Sequence, residues 1–196
     1  MRQPAPPPLP QTDERRRYFN AHERYSGYQD AAREAVEPIA WEMVLDELRP
    51  VRSLRLTEID DIALGFWDMH WRACPSPYPD GDFPWWRIMR QIRSTPRRLD
   101  LAIWADHALC GLCAGMAAKS KRHVAIRFLE NFHGPNPLRG LVAAIAVECA
   151  EAYAHVLGAQ CLKIRNPADG ALPRYEALGF RLVRARRVAP YCQREV

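Results

Sequence analysis

Six cysteines and six histidines are the side chains most able to act alone, as metal ligands or nucleophiles. The cysteines are Cys74, Cys110, Cys113, Cys149, Cys161 and Cys192, and most lie in apolar stretches. His107, Cys110 and Cys113 form an H-x-x-C-x-x-C spacing that suggests zinc. A zinc site of that kind needs a fourth ligand or a second pair at a matching interval, and the sequence offers neither. The segment also reads as a strand, in which positions three apart face opposite sides. Cys110, Cys113, Cys149 and Cys161 have no obvious basic neighbour that would make them thiolates, so no nucleophile is proposed. The expectation is a set of small buried thiols in a reducing compartment.

The elements that would position any site alternate along the chain. Leu138, Leu141, Val142, Ile145, Cys149, Tyr153 and Val156 fall on one helical face. Asn136 suits the N-cap of that helix, Pro137 its first position and Gly158 its stop. Ahead of it, residues 99–105, 108–118 and 123–129 read as strands joined by short polar turns, which predicts two antiparallel hairpins. Behind it come a strand over 160–165, a short helix over 171–178 and a last strand over 180–188. A strand, a long helix and a strand imply a parallel crossover. Upstream, residues 51–56 alternate as a strand. Thr57 is the expected cap of the next helix, with Asp60 completing a capping-box-like start. Ile59, Ile62, Ala63, Phe66, Trp67 and His70 recur through it at helical spacing. Residues 74–84 are a loop by composition, and residues 85–93 a second short helix.

Residues 1–11 form a proline-rich tail, and residues 12–50 a helix-prone arm in which Pro38 predicts a break or a new start. That arm should pack on the main domain, residues 51–196, or on a partner. The fold class that follows is α/β or α+β: a mixed, largely antiparallel central sheet flanked by helices, with an N-terminal helical arm.

The tail of the chain carries a local motif. Asn166 is followed by Arg174-Tyr175-Glu176-Ala177-Leu178-Gly179-Phe180. With the order of elements, this resembles the GNAT superfamily of acetyl-CoA-dependent N-acetyltransferases over residues 51–188. The family closes on an Asn and then a helix ending in Tyr-x-x-x-Gly-Phe. Read without any ligand, Gly179 is a helix stop, Phe180 a core anchor and Tyr175 a half-buried aromatic.

The resemblance implies acetyl-CoA as co-substrate and an amine-bearing acceptor, small molecule or protein. It implies that the cofactor lies against Leu129, Asn131, Leu138, Arg139, Gly140, Leu141, Val142, Asn166 and Tyr175. The pyrophosphate would meet free N–H groups and the positive end of the helix dipole, with Arg139 adding a charge-assisted contact. Tyr175 would protonate the departing thiolate. The chain departs from the family in the phosphate loop, where Leu138 and Leu141 stand at the usual Gln/Arg and first Gly, leaving only Arg139-Gly140 in common. A catalytically weak or inactive binding protein of the same fold is therefore the alternative.

An N-acyltransferase must also deprotonate an ammonium. Glu130, ending the third strand, is the candidate general base, against the alternative of a solvated strand end; His133 comes second. A backbone N–H near Leu129–Asn131 would donate to the oxyanion. Tyr78, Phe83, Trp85 and Trp86 with Asp80 and Asp82 would wall an acceptor site suited to a cationic amine, or plug the core.

The formal charge is +5, almost wholly from arginine, since lysine occurs only at Lys119, Lys121 and Lys163. Arg15–Arg17 with Arg184, Arg186 and Arg187 raise nucleic-acid binding, for which solvated charge is the better account. No apolar run is long enough to cross a bilayer, and the N-terminus has no apolar signal region, so a cytoplasmic protein is expected. A homodimer is left open.

Overall fold

The computed structural model of the chain describes residues 11–78, 81–186 and 188–196. The proline-rich tail up to residue 10, Asp80 and Arg187 lie outside the described residues. The element order is α1 (Gln11–Asp46), β1 (Leu54–Thr57), α2 (Asp61–Phe66), a π-helical turn (Trp67–Trp71), α3 (Trp85–Ile92), β2 (Arg98–Ala105), β3 (Ala108–Ala117), β4 (His123–Asn131), α4 (Val142–Leu157), β5 (Cys161–Arg165), a 3-10 turn (Asp169–Ala171), α5 (Leu172–Ala177), β6 (Arg181–Val183) and β7 (Tyr191–Glu195).

The strands form one seven-stranded sheet in the order β1-β2-β3-β4-β5-β7-β6. Every pairing is antiparallel except β4 with β5. This is the mixed, largely antiparallel sheet that the sequence predicts. The parallel pair exists because α4 carries the chain back across the sheet between the two strands. The expected final strand over 180–188 is instead a short β6, and β7 inserts between it and β5. Exposed Arg184, Ala185 and Arg186 break the run that looked continuous, and the alternation Tyr191-Cys192-Gln193 makes the missed strand.

Two apolar clusters lie on the two faces of the sheet. One packs Leu101, Ile103, Val124, Ile126, Leu162 and Ile164 under α4 and α1. The other packs Ala102, Trp104, Leu109, Leu112 and Ala114 under Ile59, Leu64, Trp67, Trp71, Trp85 and Ile88 of the α2–α3 layer. Alternate residues of one strand enter different clusters, as period-two side chains must.

Four expectations are corrected by this packing. Pro38 does not break α1, which runs unbroken through all 36 residues. Pro38 is exposed, whereas Tyr25, Ala32, Val36, Ala40 and Val44 form the stripe buried against the core, so packing outweighs one lost backbone bond. Thr57 lies in β1, and Asp60 caps α2 instead, its Oδ1 accepting from the Ala63 N–H at 2.8 Å. Cys110 and Cys113 do not face opposite sides: a bulge sets Ile103 against Gly111 and Trp104 against Leu109, and both thiols enter the α4 cluster. The α4 helix begins at Val142, five residues after its expected first position at Pro137, because the Asn136 Oδ1 accepts from the Leu138 N–H and closes a separate turn at 2.9 Å.

The arm is part of the core. Arg33 donates to the Asp100 carbonyl at 3.0 Å from within α1, and both residues are buried. Glu37 accepts from the Leu56 N–H at 3.0 Å, which occupies a backbone donor of edge strand β1. Among the described residues no helix is long and apolar enough to cross a membrane.

Candidate active site

The parallel pairing of β4 and β5 stops early. It runs from His123 opposite Cys161 to Ile126 opposite Ile164 and ends there, while β4 continues to Asn131 alongside β3. A second bulge marks the end of the pairing: Ala114 faces Phe128 and Gly115 faces Ile126, leaving Arg127 extra. The extra residue bends β4 away from β5. Gly115 permits the close approach, since a Cβ there would lie 2.2 Å from the Ala125 carbonyl oxygen. Beyond Ile126 the two strands therefore part, and the backbone of Arg127–Asn131 has β3 as a neighbour on one side only.

The α4 N-terminus lies near this opening. Val142 is held close to the sheet by Gly111, where a Cβ would meet the Val142 Cγ1 at 2.4 Å. The N–H groups of Val142, Ala143 and Ala144 belong to the first turn and have no acceptor within the helix. Of the residues read as the phosphate loop, three have N–H groups already committed. Leu138 donates to Asn136 Oδ1, Arg139 to the Asn136 carbonyl at 3.2 Å, and Leu141 to the Leu138 carbonyl at 2.9 Å. Gly140 takes a left-handed φ of 97°, which reverses the chain just before the helix. The side chains of Leu138, Leu141 and Val142 are buried, so these residues offer only backbone atoms to a ligand, whereas the Arg139 side chain is exposed.

Two arginines lie at that turn. Arg139 uses its Nη2 to hold the His133 and Gly134 carbonyls at 2.8 and 3.0 Å, bracing the loop rather than pointing away from it. Arg49, from the link between α1 and β1, donates to the Arg139 carbonyl at 3.0 Å and pairs with Glu47 at 3.1 Å. Its Nε is a buried donor with no partner among the described residues. No spacing in the sequence ties Arg49 to residue 139; the contact exists only because α1 returns the chain to this corner.

On the face of β4 opposite α4, Glu130 is buried at 6 % exposure, which corrects the reading of a solvated strand end. The end of the strand is covered by Asp82 and Trp85 instead. Glu130 accepts from Trp85 Nε1 at 2.5 Å and from the Asp82 N–H at 2.8 Å. Burial pushes its carboxyl above the usual carboxylate range, and the Trp85 and backbone donors oppose that rise. Burial also lowers the His133 imidazole, so it is neutral near pH 7. Glu130 and His133 line one cavity of about 430 Å³ with Trp67, Trp71, Asp82 and Pro84. Trp71 stacks on Phe132 at 5.6 Å and donates from Nε1 to the Leu109 carbonyl at 3.1 Å, which fixes that wall. Of the aromatics expected there, Trp85 is fully buried behind Glu130 and Phe83 packs edge-on to Phe128, so both build the wall from behind. Tyr78 lies beside His133 at 5.9 Å between ring centres, and Trp86 is exposed on α3 facing a different groove.

On the α4 side, Leu129 packs partly buried against the main cluster, and Tyr175 reaches it from α5. The Tyr175 phenol is pushed up to about 12 by burial, with the Cys113 and Cys192 thiols adding to the rise. Its ring meets Phe180 edge-on at 6.4 Å. Gly179 between them has a φ of 82°, which turns the chain from α5 into β6. Asn166 follows β5 with a φ of 48°, and its N–H donates to the Pro190 carbonyl at 3.1 Å. The Asn131 side chain stays local, at 3.4 Å from the Phe132 carbonyl. Glu130, held by Trp85, and Tyr175, packed in the α4 cluster, thus lie on opposite faces of the sheet.

The same architecture is present in many solved structures. The chain superimposes on an acetyltransferase from Thermus thermophilus with a TM-score of 0.56 and 15% identity, over 74% of this chain and 99% of that one. The chain carries the GNAT fold. Other GNAT-fold neighbours are RimJ from Mycobacterium smegmatis, solved with CoA-disulfide, at TM-score 0.52, 13% identity and 76% and 84% coverage. The N-acetyltransferase PseH from Campylobacter jejuni, solved with acetyl coenzyme A, matches at TM-score 0.51 and 11% identity over 72% of this chain and 98% of that one. No family model and no curated protein matches the sequence. At these identities the likeness is one of GNAT architecture.

Proposed function

We propose that the protein is an N-acyltransferase that moves an acetyl or other acyl group from acyl-CoA to an amine. The observation that carries this reading is the parting of β4 and β5 after Ile126, with the first turn of α4 nearby. An extended pantetheine arm can pair with the open backbone of Arg127–Asn131 as a missing strand would. The free N–H groups of Gly140, Val142, Ala143 and Ala144 suit the pyrophosphate better than the full set expected from the sequence, because Leu138, Arg139 and Leu141 are already paired. Arg49 adds a positive charge at the same turn. Neighbouring GNAT structures bound to CoA or acetyl coenzyme A support the same ligand.

The chain's own groups fit the transfer. Glu130, with a raised carboxyl pKa, takes the proton from the acceptor ammonium through the cavity it lines; neutral His133 is the second base within that cavity. The amine nitrogen then bonds to the thioester carbonyl carbon, the carbon–sulfur bond breaks, and the thiolate leaves as CoA. Tyr175, kept protonated by a phenol pKa pushed up to about 12, gives that proton to the departing thiolate, and the phenolate takes the second proton that the attacking nitrogen sheds as the amide forms. Backbone N–H groups near Leu129–Asn131 face the oxyanion. Binding of acetyl-CoA measured by calorimetry, followed by release of free thiol when an amine panel is added, tests this. Absence of saturable binding would sink it.

A non-catalytic reading has one observation in its favour: the loop before α4 satisfies three of its own N–H groups. Its signature is acyl-CoA binding with no thiol release on any amine.

A further inference from the structure

Among the described residues, half of one sheet face has no helical layer packed on it. The α2–α3 layer covers β2, β3 and the end of β4, but its cluster includes no side chain from β5, β6 or β7. On β5 and β7, Leu162, Ile164 and Cys192 point into the α4 cluster. Alternation therefore places Lys163, Arg165, Tyr191 and Gln193 on the other face. Register adds Arg181 opposite Gln193, and the β4 bulge leaves Arg127 exposed at the border. The surface spans four strands, about 14 Å across at the usual strand spacing.

This face is cationic and unneutralised. Among the described residues no salt bridge involves Arg127, Lys163, Arg165 or Arg181, and Glu195 is the one acid that alternation places beside them. The neighbours repel: Lys163 and Arg165 add to the burial that lowers His123, and Arg165 does the same to Arg127. Lys163 and Arg165 lie two residues apart on β5, about 6.6 Å by strand rise, which is the interval of alternate side chains on an extended peptide. The one aromatic ring, Tyr191, is capped by the Lys163 ammonium at 4.6 Å, so the face offers no open platform for stacked bases. It begins where β4 and β5 part, between Arg127 and Arg165.

We propose that the bare β5-β7-β6 face docks an acidic, extended polypeptide segment, whose Asp and Glu side chains pair with Arg127, Lys163, Arg165 and Arg181. That the docked segment also presents the amine to be acylated rests on the acyl-transfer reading; the docking itself does not.

The test uses the full-length protein and a short fluorescent peptide alternating Glu with Ser, made with a free and with an acetylated amino terminus. Anisotropy is expected to show binding of both forms, weakening as salt rises. The double variant Lys163→Glu/Arg165→Glu should bind at least about tenfold more weakly, because like charges then face each other. Lys163→Gln/Arg165→Gln should fall between, and provides the readout if the reversal variant does not fold. The control Arg87→Glu/Arg90→Glu, with the same charge change on α3, should bind like the parent. Equal binding by the β5 variants and the parent, no binding at all, or tighter binding of polyuridylate than of the peptide would overturn the proposal. Thiol release from acetyl-CoA is read separately with the free-amine peptide. Charge-dependent binding without release leaves docking standing and counts against acyl transfer to this segment; release indifferent to the β5 variants does the reverse.

Discussion

On β2 and β3 almost every side chain is buried, whereas on β5 and β7 burial alternates or lapses. The difference is already in the residue types: LDLAIWA and ALCGLCAG are near-continuous apolar runs, while CLKIR and YCQRE interleave apolar with charged or polar residues. A strand covered on both faces can be apolar throughout, and one covered on a single face cannot. The candidate site lies at the border between these halves, where β4 leaves β5. The covered half supplies rigid walls and the buried Glu130 carboxyl; the half-covered one supplies exposed charge.

The sharpest way to break this contrast is to remove a large ring from each half. Trp85→Ala in the covered half should cost about 3–5 kcal/mol, since it leaves a cavity and strips Glu130 of a donor. Tyr191→Ala in the other half, where the ring is only partly buried beneath the Lys163 ammonium, should cost about 1 kcal/mol. Chemical denaturation of the pair checks this, and equal losses would mean that the bare face is covered after all.

Next in size is Glu130→Gln, expected to slow acyl transfer by about 10²–10⁴-fold while acetyl-CoA still binds. It carries a pH signature as well. Burial raises the Glu130 carboxyl in the folded protein, so the folded state holds that proton more tightly than the unfolded chain. The stabilisation is fully present below the ordinary carboxyl range and is lost as pH rises through the folded value. Parent and Gln variant melted side by side from acid to neutral pH should therefore show the parent losing relative stability as pH increases. A flat difference would argue that the site stays hydrated.

Tyr175→Phe should lower kcat by about tenfold or more and leave acetyl-CoA affinity unchanged. Because its phenol is held at about 12, no alkaline limb of the pH–rate profile near the ordinary tyrosine range should belong to it. A loss of affinity with unchanged kcat would mark Tyr175 as packing alone. The smallest effect is assigned to Arg49→Ala, a rise of a few-fold in the KM for acetyl-CoA with kcat preserved, as for one partly exposed charged contact. An unchanged KM would place the pyrophosphate elsewhere.

Much of the architecture was legible because it depends on local pattern. The hairpins of β2–β4, the long apolar helix and the α5–Gly179–Phe180 turn follow from periodicity and turn residues. Misreadings cluster where a distant contact overrides a local signal. Pro38 signals a break that burial of Val36 and Ala40 against the core prevents. The Asn136-Pro137 pair signals a helix start but closes a separate turn, because Gly140 reverses the chain before Val142. The bulges at Cys110 and Arg127 insert single residues that no periodicity announces, and they reverse which face each following side chain takes.

The site divides in the same way. That Glu130, His133 and Tyr175 carry titratable side chains, on which the proposed proton transfers rest, could be read directly. Burial of Glu130 beneath Trp85, the commitment of the Leu138, Arg139 and Leu141 N–H groups, and the arrival of Arg49 at the Gly140 turn were not readable. The sequence by itself determined most of the strands and helices and the chemistry available, because those depend on nearest neighbours along the chain. Only the tertiary structure decided where β4 and β5 part and which donors are left free there, because both depend on residues brought together from far apart in the chain.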